Sequence, residues 1–303
     1  MIVIALAVVA SIAAGVFARR KTERTDAFVV RLLDFVLFIL LPLIGFAFAL
    51  RLELDLTTVA GIAGGYLVIA TVGLIAWQVT ERRMHLTKAQ QGAVVLCAVL
   101  ANTGYLGLPV SLTLLGKDEL PHAVVWDQLI SVPMALIVAP FIASTFAGRH
   151  EGLHLGHRLV AIVRRAPAVP APIVGLMVPS GWVPDWFFDV ATWCVFLTLP
   201  LGFFAVGATI QRLRGTDDHP PRKAVGLAVG LRIVVAPALF ALLSLLVLPE
   251  EPRAFMLQAA MPCGVNALVV GHAFDLDRGL IATAIAWSTT VVLTVALVGS
   301  YLL

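Results

Sequence analysis

The sequence predicts an all-α polytopic membrane protein with ten transmembrane helices, and three observations carry that expectation. Only 13% of the 303 residues are charged and 60% are hydrophobic, whereas a soluble domain has about 25% charged residues. Apolar runs recur from end to end, at 2–18, 32–50, 56–80, 89–115, 122–147, 166–183, 186–211, 224–248, 253–274 and 279–302, and about 20 such residues cross the hydrocarbon core as a helix. Lys and Arg are distributed unevenly between the loops. With the N-terminus outside, 17 fall in inner loops and 3 (Arg51, Lys117 and Arg253) in outer ones, while Arg232 alone lies within a run. The positive-inside rule favours that orientation. It predicts a multi-pass protein of the cell (plasma or inner) membrane with both termini outside. The basic balance, +3, thus reflects topology rather than nucleic-acid binding.

Along the chain, the first span has no basic residue before it, as a signal peptide would, and reads as retained. The second contains Phe38-Ile39-Leu40-Leu41-Pro42-Leu43-Ile44-Gly45-Phe46-Ala47. The third and eighth carry Gly61-x-x-x-Gly65 and Gly226-x-x-x-Gly230, a spacing that lets helices approach closely. The fourth is interrupted at Asn102-Thr103-Gly104-Tyr105-Leu106-Gly107-Leu108-Pro109. Asp127 and Gln128 lie a little inside the fifth. Four prolines (167, 170, 172 and 179) crowd the sixth and predict a tilted or kinked element. The seventh reads Phe196-Leu197-Thr198-Leu199-Pro200-Leu201-Gly202-Phe203-Phe204-Ala205. The ninth is interrupted at Met261-Pro262-Cys263-Gly264-Val265-Asn266.

The Pro42 and Pro200 strings match at six of ten positions at an offset of 158, which also carries Gly104 onto Pro262. This predicts a duplication. Each half has five spans, so the halves run through the membrane in opposite senses, as two inverted repeats with broken helices 4 and 9 in corresponding places.

Hydrocarbon offers no partner to a free N–H or C=O, so unwound backbone at membrane depth lines a protein-walled or watery cavity. Half-helix N-termini there favour an anion. Asn102 and Asn266 can each supply a donor and an acceptor without a buried charge. The candidate substrate-binding residues are Asn102, Thr103, Gly104, Tyr105, Gly107, Pro109, Pro262, Cys263, Gly264 and Asn266, with Arg232 neutralising a carboxylate, snorkelling to the inner face or bonding to a helix carbonyl. Asp127 and His272 are candidates for proton coupling, although Asp127 could equally pair with Arg232 or sit at the outer interface. Neither break contains Asp or Glu, which favours uncoupled or potential-driven movement. Cys97, Cys194 and Cys263 show no metal-ligand spacing, so neither metal nor cofactor is expected. No clustered catalytic groups point to an enzyme, and no phosphate-binding Gly-rich loop with Lys-Ser/Thr points to ATP as driver.

The Asn-Thr-Gly-Tyr-Leu-Gly-Leu-Pro string at 102–109 resembles the fourth-helix motif of the auxin efflux carrier family, and the segment 261–266 is similar to its ninth-helix motif. The resemblance implies a fold like the sodium/bile-acid symporters and sodium/proton antiporters. A scaffold domain (1–50 and 158–212; spans 1, 2, 6 and 7) would support a mobile transport domain (51–149 and 222–303; spans 3–5 and 8–10), with helices 4 and 9 crossed at their breaks. It implies efflux of small organic anions, either auxin-like monocarboxylates or dicarboxylates such as malate and malonate. Alternating access would be of the elevator type, in a homodimer formed through the scaffold. A coupled symporter of the bile-acid type is the alternative. Cys263-Gly264 stands where a small hydroxyl residue and an alanine are often found.

Overall fold

The computed structural model describes residues 1–22, 25–52, 55–147, 170–213, 220–247 and 252–302. Among these the regular structure is helical: α1 (Ile2–Lys21), α2 (25–49), α3 (Leu56–Arg83), α4 (Lys88–Val99), α5 (Thr103–Leu115), α6 (Leu120–Phe146), α7 (Pro170–Met177), α8 (Asp185–Leu213), α9 (Arg222–Val247), α10 (Arg253–Ala259), α11 (Asn266–Ala273) and α12 (Arg278–Leu302). Seven of them, α1, α2, α3, α6, α8, α9 and α12, are long and apolar enough to cross a membrane. The fourth and ninth expected spans are each divided in two. The sixth is described only from residue 170 onward, as the eight-residue α7. Arg24, Arg149, Arg158, Arg164, Arg165 and Arg214 of the inner-loop count lie outside the described residues.

Local sequence explains the ends. Asp55 precedes α3 and accepts from the Thr58 N–H at 2.7 Å. Thr87 and Gln90 form a reciprocal capping box at the start of α4, satisfying donors that have no partner within the helix. Arg19, Arg20 and Lys21 occupy the last turn of α1, where cations complement the dipole.

Among the described residues there are five π-helical turns, four inside long helices (Val36–Leu40, Asp127–Ser131, Met134–Val138 and Leu231–Val235) and one, Thr103–Gly107, at the start of α5. Each ends two residues before a proline: Pro42, Pro109, Pro133, Pro140 and Pro237. Proline lacks an N–H and its ring collides with the carbonyl four residues back. Widening the preceding turn to i→i+5 bonds moves that carbonyl aside and lets the helix continue. Pro200 sits inside α8 without such a turn.

Helices α1 and α8 touch backbone to backbone. A side chain at Gly15 would collide with the Phe204 carbonyl and stand 2.8 Å from the Ala208 nitrogen. In the same manner α7 lies on α2, where a Cβ at Gly175 would be 2.6 Å from the Phe46 carbonyl oxygen. Phe204 and Phe46 are separated by the same offset of 158 as the two proline strings. Without aqueous solvent to drive association, such small-residue contacts let dispersion act at short range. At the centre, α4 is enclosed by α3, α6, α9 and α12, and every residue from Gln91 to Val99 is buried.

Candidate functional site

The two breaks meet. Past Val99 the chain is extended at Leu100 and Ala101, and between α10 and α11 it is extended around Cys263. Asn102 donates its N–H to the Pro262 carbonyl and Gly264 donates to the Leu100 carbonyl, both at 2.8 Å, forming a minimal antiparallel bridge between Ala101 and Cys263. Backbone groups released by the two helices thus satisfy each other where hydrocarbon could not. Gly264 permits the approach, since a Cβ there would stand 2.8 Å from the Ala101 oxygen. The antiparallel bridge sets residue 102 opposite 262, 101 opposite 263 and 100 opposite 264, so its central pair is 162 residues apart, against the offset of 158 read from the proline strings.

The first break is shorter and earlier than the sequence led us to expect. Only 100–102 leave the helix. From Thr103 the chain winds again, first as a π turn and then as α-helix to Leu115, so Gly104, Tyr105, Gly107 and Pro109 are helical. Glycine and proline permit unwinding, but the bridge to Cys263 decides where it occurs. The second break, 260–265, follows the expected position, and Asn266 opens α11.

Asn102 terminates the first break. It is 2% exposed, and neither its amide nitrogen nor its amide oxygen has a hydrogen-bond partner. Beside it, Thr103 donates its hydroxyl to Asp127 at 2.5 Å, and Gln128 donates its amide to the other Asp127 oxygen at 3.0 Å. Asp127 is 3% exposed. It therefore sits at the start of α5 rather than at the outer interface, and it brings to the break the carboxylate that neither broken segment contains. Its position facing the positive end of α5 is the arrangement the helix dipole favours. The oxygen of Gln128 is also buried without a donor.

Arg232 comes from the π turn of α9 and is 2% exposed. Its guanidinium donates to the Met261 carbonyl at 3.1 Å, to the Ala98 carbonyl at 3.5 Å and to the Ala259 carbonyl. These carbonyls lie at the ends of α4 and α10, where free acceptors and negative partial charge accumulate. Of the roles left open for Arg232, neutralising a carboxylate, snorkelling to the inner face or bonding to a helix carbonyl, the last is the one these bonds describe.

Several contributors carried no sequence signal beyond being isolated polar or small residues in apolar runs. Thr198 of α8 is fully buried and donates to the Gly104 carbonyl at 3.2 Å. Gly202, one turn on, leaves room for the Tyr105 ring; a Cβ there would stand 2.6 Å from the ring's Cγ. Gln258 of α10 donates to the Ala123 carbonyl at 3.4 Å and lies against Gly107. Ser288 of α12 accepts from the Cys263 N–H at 3.1 Å. Pro109 and Pro262 are buried and Asn266 is half-buried. His272 is not brought to the junction; it is exposed near the end of α11, its Nδ1 3.1 Å from the Arg278 guanidinium. Among the described residues no group of three or more His, Cys, Asp or Glu could hold a metal ion.

No protein-family profile matches the chain. It is 24% identical over 251 residues to the uncharacterized transporter MJ1031 of Methanocaldococcus jannaschii, an alignment covering 78% of this chain and 77% of that protein.

Proposed function

We propose that this protein is a membrane transporter, a secondary carrier that moves a small organic anion and holds it where the two broken helices meet. The similarity to a transporter over most of both chains supports the general reading. The observation that carries the site is Asn102, a carboxamide buried at membrane depth with donor and acceptor both unused. A buried polar group left unpaired costs about 1–3 kcal/mol, and a carboxylate reaching the Asn102 amide would remove part of that cost. The finer reading includes ten spans in two inverted repeats, with 51–149 and 222–303 moving as a transport domain against the 1–50 and 158–212 scaffold in a dimer. Export of auxin-like or dicarboxylate anions, and the absence of enzymatic chemistry, belong to the same proposal. The test is uptake of radiolabelled mono- and dicarboxylates by proteoliposomes, with the thermal midpoint of the detergent-solubilised protein measured against the same panel. Ligand binding to the folded state raises that midpoint. If no carboxylate moves across the membrane or shifts the midpoint, the proposal fails.

A second reading, proton-coupled transport, is favoured by Asp127. The positive end of α5 expected to receive the anion already faces this carboxylate, which accepts from Thr103 and Gln128. Two like charges a few ångströms apart disfavour each other strongly in a site that excludes water. In this reading the anion enters with a proton that neutralises Asp127. Uptake driven by an imposed pH gradient in the native protein and insensitive to it in Asp127→Asn supports this version. Equal uptake with and without the gradient in the native protein refutes it.

A further inference from the structure

Asp127 and Gln128 carry more acceptor capacity than the protein itself satisfies. Asp127 is buried on α6, and a carboxylate offers about four lone-pair positions. Its bonds come from the Thr103 hydroxyl and the Gln128 amide, which are both neutral donors. Among the described residues no Lys, Arg or His lies within ion-pair distance of it, and Arg232 is engaged with carbonyls instead. A buried charge is ordinarily paired. Gln128 is 1% exposed and its Oε1 has no donor. Each acceptor also faces a glycine. A Cβ added at Gly104 of α5 would stand 3.1 Å from Asp127 Oδ1, and one at Gly45 of α2 would stand 3.1 Å from Gln128 Oε1. A side chain at either place would press on the oxygen it faces. A third unused acceptor, Asn102 Oδ1, belongs to the residue before Thr103, whose Cα is about 3.8 Å away.

We infer that the solute is a small α-amino acid, its carboxylate held by the Asn102 amide nitrogen at the positive end of α5 and its ammonium held by Asp127 and Gln128. This rests on the reading that a carboxylate binds at the break, and it narrows that reading away from simple mono- and dicarboxylates. An ammonium group has three donors, and Asp127, Gln128 Oε1 and Asn102 Oδ1 are three acceptors waiting for them. Asn102 then uses both halves of its amide, the nitrogen towards the carboxylate and the oxygen towards the ammonium. A plain carboxylate would set a second negative charge near Asp127, which a site that excludes water disfavours strongly, and would leave these oxygens unpaired. A zwitterion brings the neutralising charge with it, so no proton has to enter alongside. Asn102 adjoins Thr103, and the Thr103 hydroxyl is 2.5 Å from Asp127. The two poles are therefore close together, as a solute whose ammonium and carboxylate share one carbon requires.

The full-length protein in detergent, at one fixed pH, is titrated with matched sets of compounds and its thermal midpoint followed. Glycine, L-alanine, L-leucine and L-phenylalanine are each compared with the acid lacking the amino group (acetate, propionate, 4-methylpentanoate and 3-phenylpropionate) and with the amino acid's methyl ester. Ligand binding to the folded state raises the midpoint and yields an apparent dissociation constant. In at least one set the amino acid should bind about ten- to a hundredfold more tightly than either analogue, the worth of a hydrogen bond to a charged group. Asp127→Asn should bring the ratio of amino acid to des-amino acid down towards one, and Gln128→Met should lower it by a smaller factor. If the des-amino acids bind native protein as well as the amino acids throughout, the inference is overturned and the carboxylate reading stands. A preference for the amino acid that survives intact in a folded Asp127→Asn protein overturns it as well. Methyl esters that match their amino acids, or no response to any compound, would remove the carboxylate reading and this inference together. The ratio in the native protein decides even where a variant does not fold.

Discussion

Replacing Arg232 by methionine separates a structural staple from a substrate-binding charge. The guanidinium bonds to three carbonyls, those of Ala98, Ala259 and Met261. Leaving each carbonyl without a donor costs about 2 kcal/mol, or about 6 kcal/mol for the three. The burial cost of the cation disappears at the same time, about 3 kcal/mol on insertion scales for a centrally placed Arg. The net loss is about 3 kcal/mol. With an unfolding entropy of about 2.1 cal/mol/K per residue over a chain of this length, that lowers the midpoint by about 5 °C. Arg232→Lys keeps a charged donor but not the planar fork that reaches three acceptors, so its loss should be about half as large. The assay is thermal unfolding of detergent-solubilised protein followed by tryptophan fluorescence, with anion-induced shifts measured on each variant. An Arg232→Met protein that melts with the native one yet no longer responds to anions would refute the reasoning and return the guanidinium to the solute.

Asn102→Ala should behave in the opposite way, leaving stability within about 1 kcal/mol of native because the amide has no partner to lose, while abolishing the anion-induced shift; a large loss of stability would mean the amide is already engaged. Gly15→Val should drive α1 from α8, since even a Cβ collides with the Phe204 backbone, and overpacking of this kind costs about 1–3 kcal/mol; an unchanged midpoint would show that the helices can separate freely. Asp55 is held down at about 2 from its ordinary 3.8 by its bonds to Thr58 and Thr57. The stability it contributes is therefore present above about pH 4 and lost as pH falls from 4 towards 2. Midpoints measured across that window should show a smaller acid-induced loss in Asp55→Ala than in native protein, and identical pH profiles would contradict the assignment.

Much of the fold was legible because hydrocarbon leaves the chain few choices. Long apolar runs had to become helices, and the seven helices of spanning length all lie on runs the sequence marks. The clustered Gly and Pro of 102–109 signalled an irregularity near the right place. Its position, 100–102, could not be read there, because it depends on Pro262 and Gly264, which lie about 160 residues away in sequence and supply the missing hydrogen-bond partners. Asp127 was visible as a charge in an apolar run, but its depth was not, since burial depends on Thr103 and Gln128 turning towards it. Thr198 and Gly202 gave no warning, being ordinary residues of a helix whose neighbours were unknown. The prolines carried more information than their usual reading as helix breakers, for five of them mark where a π turn precedes.

Three of those widened turns carry Thr103, Asp127 and Arg232. A π turn accommodates one residue more than the α-helix on either side of it. Were that spare residue passed along, the helix beyond would advance by about 1.5 Å and rotate by about 100°. A side chain on that stretch could swing from one neighbour to another while both helix ends stay anchored. Local rewinding of this sort gives the junction a way to rearrange its polar groups without first prising apart the tightly seated α1 and α8.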